Sequence, residues 1–382
     1  MKDLSDVLSP RLRDMEKTLI RQINDLADPS CINLGLGELQ FPTPKAILAH
    51  VRENLEAWPL GYSPNEGFWE LRELIAGRAG YPLSPDQVCV TLGAEEALMD
   101  VLMAITGTGD EILVPDPGFP AYPSLVRLAG GTSIPYPLLP DNGFGLRAAD
   151  LLNLITPKTK AVIINSPNNP TGAIYSAQEL EKLATAVNSL PLIVISDETY
   201  RDIAFDGPAA SLAPLSNRCV TVNSFSKSFA MTGWRIGWCA APPDIAKAIR
   251  TFHQMAVICA PSVSQYAAIY ALRGGADDER NRYLAELKRR RDIAIRCVDQ
   301  YLGLPYVRPA GTFYLFLSIP SGNPKAGSSL DAALGILKEE KVVTIPGSAF
   351  GRKGEGYLRI SFAPEPEKIE EGIRRIGRFF SS

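Results

Sequence analysis

The sequence predicts an α/β protein in which helices sandwich a mostly parallel seven-stranded sheet, joined to a smaller α+β part. Two observations predict this class. Between about residues 87 and 241, short apolar runs alternate with helix-length segments, a pattern typical of parallel strands joined by helical crossovers. The C-terminal third lacks that alternation and begins with a long helical pattern. We therefore expect two layers of different construction in one chain.

The predicted strands of the main sheet are apolar at almost every position, which indicates burial on both faces. Helices at Ala94–Thr106 and Ser176–Asn188 separate some of them. Ligands of parallel sheets bind at the carboxyl ends of the strands, so the residues that follow each run are candidates for a site. In chain order the predicted strands are Gln87–Leu92, Glu111–Pro115, Thr132–Tyr136, Ala161–Asn165, Leu192–Ser196, Val220–Ser224 and Ile236–Ala240.

The C-terminal third predicts the smaller α+β domain. Apolar residues recur at three- or four-residue steps through Asp278–Leu302, which indicates a helix. Pairing with the N-terminal segment gives a large domain at 45–280 and a small domain made of 1–44 plus 281–382. The further predicted elements are strands at Gly311–Ile319, Val342–Ile345 and Tyr357–Phe362 and helices at Leu330–Glu340 and Pro366–Phe379.

Charge and hydropathy argue against nucleic-acid and membrane partners. The 39 Lys and Arg residues against 42 Asp and Glu give a net charge of −3, whereas duplex-binding domains carry a basic face. The one compact basic run, Arg289 to Arg291, is expected to be a solvated helix face. No stretch reaches the roughly 18 apolar residues of a membrane span. The residues Met1 to Pro10 lack the apolar core of a signal peptide.

The number and positions of the cysteines and histidines limit which side chains can form disulfides, metal sites or catalytic groups. The six cysteines form no C-x-x-C pair and fall mostly in apolar runs, which predicts buried reduced thiols in a cytoplasmic protein. The only histidines, His50 and His253, are too far apart in sequence to indicate a metal site, so no metal is expected. The chemistry must then come from other side chains or from a cofactor.

A lysine follows the sixth predicted strand in Ser224-Phe225-Ser226-Lys227. A lysine directly after a buried strand is poorly placed as a surface charge, and in neutral form it condenses with a carbonyl to a Schiff base. Arg235 adds a planar fork suited to phosphate, and Ser224 adds a hydroxyl donor. A turn with capping serines explains the serines but not the accompanying Lys and Arg.

Two other strand ends carry polar groups. Asp197 follows the fifth strand and suits a protonated pyridine nitrogen, with the Tyr200 phenol three residues on. Asn169 follows the fourth strand and offers a donor to a ring oxygen. The alternatives are a helix cap for Asp197 and simple turn chemistry for Asn169.

A strand ends at Gly93 and a helix begins at once, so the free amides of Ala94 and Glu95 form an anion site or, alternatively, an ordinary helix start. A Schiff-base lysine, an acid for a pyridine nitrogen, donors for a phenolate and a phosphate cup together specify pyridoxal 5′-phosphate.

The sequence also resembles the class I/II aminotransferases of the fold-type I pyridoxal-phosphate superfamily, to which aspartate aminotransferase belongs. The resemblance covers nearly the whole chain, and the order of the motifs carries it. These motifs are Asn33–Glu38, Gly61–Gly67 with Glu70–Arg72, Asn169–Gly172, Asp197–Tyr200, Ser224–Lys227 with Gly233–Arg235, Pro346–Ser348 and Tyr357–Phe362.

The resemblance implies a role for each matching residue. Lys227 would be the Schiff-base lysine and proton shuttle, and Asp197 would hold the ring nitrogen. Asn169 and Tyr200 would contact the ring oxygen. The remaining cofactor contacts would come from Gly93, Ala94, Glu95, Ser224 and Arg235 at the phosphate and from Phe119 stacked on the ring.

Substrate and subunit contacts follow from the same resemblance. Arg359 would clamp the substrate α-carboxylate, helped by the Gly37 amide and Asn169. Tyr62 would reach the phosphate of the neighbouring subunit, so a symmetric homodimer is expected. The alternatives are an exposed strand arginine for Arg359 and plain packing for Tyr62 and for Phe119.

The implied function is transfer of an amino group from an L-amino acid to a 2-oxo acid. The segment Leu39-Gln40-Phe41 departs from the family pattern and hints at a partly apolar pocket for neutral or aromatic amino acids. One alternative is a carbon–sulfur β-lyase on the same fold. A remote one is a non-catalytic PLP-binding regulator, although about thirty residues before Gly35 are too few for a winged helix.

Overall fold

The computed structural model describes residue 7 and residues 9–13, 15–325 and 327–381. The prediction for the first ten residues therefore falls largely outside the described part. The strands are β1 Ile32–Asn33, β2 Val88–Thr91, β3 Glu111–Asp116, β4 Thr132–Pro137, β5 Thr159–Asn165, β6 Ile193–Asp197, β7 Cys219–Ser224, β8 Gly237–Ala240, β9 Tyr314–Ser318, β10 Val342–Val343, β11 Ile345–Pro346 and β12 Tyr357–Ser361.

The α-helices of the described residues range from 4 to 25 residues in length. They are α1 Leu19–Asp25, α2 Lys45–Asn54, α3 Trp69–Arg78, α4 Ala94–Ile105, α5 Ala121–Leu128, α6 Ala148–Leu152, α7 Ala177–Val187, α8 Phe225–Ser228, α9 Pro243–Val257, α10 Ser262–Tyr270, α11 Asp277–Tyr301, α12 Ser329–Glu340 and α13 Pro366–Ser381.

The main sheet confirms the predicted fold class. Its seven strands lie in the order β2-β8-β7-β6-β5-β3-β4, and each matches a predicted run. Pairs from β7 to β4 are parallel, while β8 runs antiparallel to both of its neighbours. Successive side chains face opposite sides, so Ile163 packs with α4, α5 and α9 and Ile164 packs with α6 and α7. The carboxyl ends of β5, β6 and β7 therefore meet at one edge.

The C-terminal part forms two small sheets. Strands β11, β12 and β9 make an antiparallel sheet, and β10 pairs in parallel with β1 near the N-terminus. The single strand predicted at Val342–Ile345 is wrong, because Val343 pairs with Asn33 whereas Ile345 pairs with Arg359 in the other sheet. A hydrophobic core joins β9, β10 and β12 to α11, α12 and α13. The predicted domain boundaries remain a prediction.

The basic run on α11 is not a solvated face, contrary to expectation. Arg290 and Arg291 are buried, and only Arg289 is exposed. Arg290 Nε lies 2.8 Å from a Glu286 oxygen, and Arg291 Nη1 lies 3.2 Å from Asp206. Burial is tolerated because each guanidinium finds a carboxylate partner.

All six cysteines are free, four of them buried and two half-buried. Among the described residues, the structure has no helix with the length and apolar character needed to cross a membrane.

Candidate active site

A cavity of about 380 Å³ opens at the carboxyl edge of the main sheet. Helix α8 follows β7 directly, and the ends of β5 and β6 lie beside it, so residues distant in sequence face one space. Eleven of the thirteen predicted site residues line this cavity. They are Gly37, Ala94, Glu95, Phe119, Asn169, Asp197, Tyr200, Ser224, Lys227, Arg235 and Arg359.

Lys227 enters the cavity from the first turn after β7. The Ser224 hydroxyl caps this turn by accepting the Ser226 amide at 3.1 Å, so the capping role considered for that serine is confirmed. Lys227 Nζ donates to the Gly37 carbonyl at 2.7 Å. Burial lowers the pKa of Lys227 to about 8; Glu38 opposes this shift, and Arg359 adds to it. A neutral amine is therefore accessible near neutral pH.

Asp197 ends β6 and is buried, with 5% of its surface exposed. Its Oδ2 accepts the Tyr122 hydroxyl at 2.7 Å, and its Oδ1 accepts the Thr199 amide at 3.1 Å. Burial raises the pKa of Asp197, while these two donors partly offset the rise. A carboxylate held this way is suited to a cationic hydrogen-bond donor within the cavity.

Tyr200 and Asn169 link the main sheet to the small one. The Tyr200 hydroxyl lies 2.9 Å from the Tyr314 hydroxyl on β9, and burial raises the pKa of both phenols. The Asn169 Oδ1 accepts Arg359 Nη1 at 3.0 Å. These contacts place the two predicted ring-oxygen donors on the cavity wall nearest to Arg359.

Arg359 lies on β12 and is 1% exposed. Its Nη2 donates to the Gly35 carbonyl at 2.7 Å, and its guanidinium sits 4.1 Å from the Tyr314 ring centroid. Its Nε has no partner among the described residues. The exposed-strand interpretation of Arg359 is wrong, because this arginine is a buried cation with a spare donor beside the cavity.

The predicted anion cup, the turn at Gly93 with the first residues of α4, lies at the edge of the cavity and stays a prediction. Gly93 has φ 97°, a left-handed conformation that favours glycine, and a Cβ there would lie 2.8 Å from Arg235 Nη2. Arg235 donates from Nη1 to the Thr232 carbonyl at 3.0 Å and from Nη2 to the Leu92 carbonyl at 2.9 Å. Because Gly93 has no side chain, the Arg235 guanidinium can approach the turn. The cavity is lined at this point by the first residues of α4, whose amides are free.

Comparison with known proteins decides the family. The sequence model described as "Aminotransferase class I and II" matches residues 29–376. The chain belongs to this aminotransferase family. The fold-type I architecture and the transfer of amino groups between amino acids and 2-oxo acids follow from that membership, and the family is generally dependent on pyridoxal phosphate.

The individual proteins that are similar to this aminotransferase are also named as aminotransferases. The chain is 39% identical to aromatic-amino-acid aminotransferase 2 of Thermococcus litoralis and 39% identical to an aspartate aminotransferase of Pyrococcus abyssi, with 97% of each chain covered in both alignments. It superimposes on the aspartate aminotransferase of Thermus thermophilus with maleate at a TM-score of 0.92 and 32% identity, covering 97% of this chain and 99% of that one.

Two predicted site residues of the aminotransferase do not line its cavity. Gly93 lies behind the lining, against Arg235. Tyr62 is 84% exposed and borders a separate surface cavity beside Leu92 and Cys259. Phe119 lines the site and packs edge-on against Tyr122, with ring centroids 5.5 Å apart.

The hint about Leu39-Gln40-Phe41 is wrong. Leu39 is buried in the C-terminal core, Gln40 is exposed and Phe41 stacks on Tyr283. None of the three lines the cavity. Its apolar lining instead includes residues that sequence reasoning missed, namely Ile20, Leu98, Tyr122 and Tyr314, together with the polar Glu38, Thr232 and Asn165.

Proposed function

We propose that this aminotransferase binds pyridoxal 5′-phosphate in the 380 Å³ cavity, attached through Lys227. The observation that carries the proposal is a half-buried lysine with a lowered pKa that shares one cavity with a buried carboxylate and a helix N-terminus. The donor set fits the group because it supplies an amine for the aldehyde, an acid for the ring nitrogen and amides for the phosphate.

Each residue of this donor set would then hold one part of the cofactor. Asp197 would bind the ring nitrogen, and Asn169 and Tyr200 would contact the ring oxygen. Phe119 would stack on the ring. Ser224, Arg235 and the amides of Ala94 and Glu95 would bind the phosphate, with Gly93 providing the turn.

The chain's own residues would perform the proton work. When bound, the cofactor supplies an electron sink that acidifies the substrate α-carbon. Lys227 Nζ would take the proton from that carbon as a general base and would deliver it, as a general acid, to the former aldehyde carbon of the cofactor. Arg359 and the Gly37 amide would hold the α-carboxylate, which orients the α-carbon toward Lys227. Asp197 would keep the ring nitrogen protonated.

We further propose that neutral and aromatic amino acids are the better substrates. The cations on the described cavity wall are Lys227, Arg235 and Arg359, and each already has a partner or an assigned role. The apolar part of the lining includes the half-buried Ile20 and the buried Leu98. Relatives are named for aromatic amino acids and for aspartate, so this proposal chooses between two known classes.

The active unit is proposed to be a cytoplasmic homodimer. The exposed Tyr62 lies outside the cavity of its own chain, which supports a role at the site of a second subunit.

The proposed domains within one chain remain a large domain at 45–280 and a small domain made of 1–44 plus 281–382.

Spectral titration tests the function. Protein reconstituted with pyridoxal phosphate is titrated with phenylalanine, leucine, lysine and aspartate, and the visible absorbance of the bound cofactor is followed. Reversible loss of that absorbance, restored by a 2-oxo acid, is the expected result. Release of pyruvate and ammonia from a cysteine conjugate would instead indicate the lyase. Lys227→Ala should abolish turnover, and near-normal transamination by this variant would contradict the assignment.

A further inference from the structure

A buried histidine lies behind the anion cup and has no part in the proposed mechanism. His253 on α9 is 0% exposed, and its Nδ1 lies 2.9 Å from Glu96 Oε1 and 3.1 Å from Asp100 Oδ2 on α4. One Nδ1–H thus serves two carboxylates. Both distances are typical of N–H···O hydrogen bonds. His253 is therefore the shared hydrogen-bond partner of Glu96 and Asp100.

The same cluster reaches the turn that forms the cup. Glu96 Oε2 accepts the Leu92 amide at 2.5 Å, while the Leu92 carbonyl accepts Arg235 Nη2 at 2.9 Å. The two peptide groups that flank the Leu92 Cα are thereby held, one at its N–H by Glu96 and the other at its C=O by Arg235. Gly93, which follows directly, has a glycine-type backbone and no side chain to hold its own conformation.

We propose that His253 is a positioning residue that acts through Glu96 to hold the Leu92–Gly93 turn in the geometry that receives a phosphate group. The inference rests on the proposed cofactor site and deepens it. His253 fixes the Glu96 carboxylate, Glu96 fixes the Leu92 amide, and the turn sets the direction of the Ala94 and Glu95 amides. Preorganised donors bind an anion more tightly than donors that must first be ordered.

The electrostatic setting supports this arrangement. Burial alone would lower the pKa of His253, but the hydrogen bonds to Asp100 and Glu96 outweigh it and raise the pKa to about 9. The thiols of Cys89 and Cys239 on the adjoining strands have pKa values raised by burial, so they stay neutral. The imidazole consequently remains a donor to both carboxylates at neutral pH.

The test compares two probes that differ only in the phosphate. Apoprotein is titrated with pyridoxal 5′-phosphate and with pyridoxal, for the wild type and for His253→Leu, which lacks the donor. The Kd for pyridoxal phosphate should rise about tenfold, the effect of about 1.4 kcal/mol. The Kd for pyridoxal should change less than about twofold, because Lys227 still reacts with the aldehyde.

Two further variants separate positioning from folding. His253→Asn places an amide donor near the position of Nδ1 and should restore most of the phosphate-dependent affinity. Glu96→Leu removes the Leu92 contact but leaves His253 paired with Asp100, so it should fold and reproduce the tenfold loss. His50→Gln, on the half-buried histidine that stacks on Tyr270, is the matched control and should leave both Kd values unchanged.

Hydrogen exchange of the Leu92 amide in the apoprotein gives a readout independent of the cofactor. Exchange should be slow in the wild type and faster in His253→Leu and Glu96→Leu. Equal losses of affinity for both probes, or unchanged affinity and exchange, would overturn the inference while leaving the cofactor site intact. A wild type that binds pyridoxal but gains nothing from the phosphate would also overturn it, and one that binds neither probe would overturn the proposed function itself.

Discussion

The cavity has a main-sheet wall, which carries Asp197, and a small-sheet wall, which carries Arg359. The two walls differ in how many of the polar atoms of these charged groups form hydrogen bonds within the protein. On the main-sheet wall, both oxygens of Asp197 accept a hydrogen bond from within the protein, from Tyr122 and from the Thr199 amide. On the small-sheet wall, Arg359 is equally buried, yet its Nε has no partner among the described residues.

Under the proposed function, this difference matches a cofactor that stays bound at one wall and a substrate that exchanges at the other. A carboxylate held at both oxygens is fixed in place and suits a group that stays bound. A buried guanidinium donor without a partner costs about 1–3 kcal/mol. Under the proposed function, the same guanidinium would bind the carboxylate of the exchanging substrate. The predictions below probe the two walls separately.

The largest effect is expected from neutralising the main-sheet wall. Asp197→Asn keeps the shape but cannot hold a proton on a ring nitrogen, so kcat should fall about 10³-fold, as for loss of a preorganised charge. Steady-state kinetics with phenylalanine and a 2-oxo acid measure this. Asp202→Asn, at an exposed position nearby, is the control. A kcat within a few-fold of wild type for Asp197→Asn would remove Asp197 from its proposed role.

A smaller but still large effect is expected on the small-sheet wall. Arg359→Lys keeps the charge but loses the planar fork and the spare Nε donor, so kcat/KM should fall about 100-fold, mainly through KM. Arg308→Lys, on an exposed arginine paired with Asp292, should be neutral. If cofactor affinity rather than KM changed in Arg359→Lys, the division of labour between the walls would be wrong.

Lys227 stands between the walls, and its titration reports on both. Its pKa is lowered to about 8, so the reactive neutral amine is lost as the pH falls below that value. The rate of pyridoxal attachment to the apoprotein should drop about tenfold per pH unit below 8 and level off above it. Arg359→Met should move this midpoint upward, because Arg359 lowers the lysine pKa. An unmoved midpoint would show that the small-sheet wall does not influence the amine.

The smallest effect is expected from removing one hydrogen-bond donor to Asp197 on the main-sheet wall. Tyr122→Phe removes the 2.7 Å hydrogen bond to Asp197 and should lower cofactor affinity about tenfold, the usual scale for a bond to a charged group. Tyr136→Phe is the matched control, since that buried hydroxyl donates to the Ile163 carbonyl away from the cavity. Equal effects of the two variants would mean that Tyr122 contributes only stability.

Residues at strand ends were predictable from the sequence, whereas their supporting partners were not. Lys227, Asp197 and Asn169 each follow an apolar run, and parallel strands bring such ends together whatever the rest of the chain does. Tyr122 lies 75 residues from Asp197, and Tyr314 lies 114 residues from Tyr200. A signal was present for Tyr122, which closes the turn that contains Phe119, but nothing local indicated its partner.

Errors arose where a local pattern was interpreted without its packing. The sequence Arg289 to Arg291 has the composition of a solvated face, yet Arg290 and Arg291 are buried, Arg290 beside Glu286 of the same helix and Arg291 beside Asp206 of a distant segment. Leu39 was predicted to contribute to an apolar substrate pocket. It is instead buried in the core that α11 forms with the small sheets. Burial of a given residue depends on which surface its element meets.

Sequence alone determined the strands of the main sheet, the order of the motifs and the chemistry available at each strand end, because burial pattern and residue type are local properties. The tertiary structure decided which groups satisfy one another: the Tyr122–Asp197 bond, the buried Arg359 with its spare donor and the His253 cluster behind the cup. It also decided the lowered pKa of Lys227, because desolvation depends on neighbours that chain folding brings from distant segments.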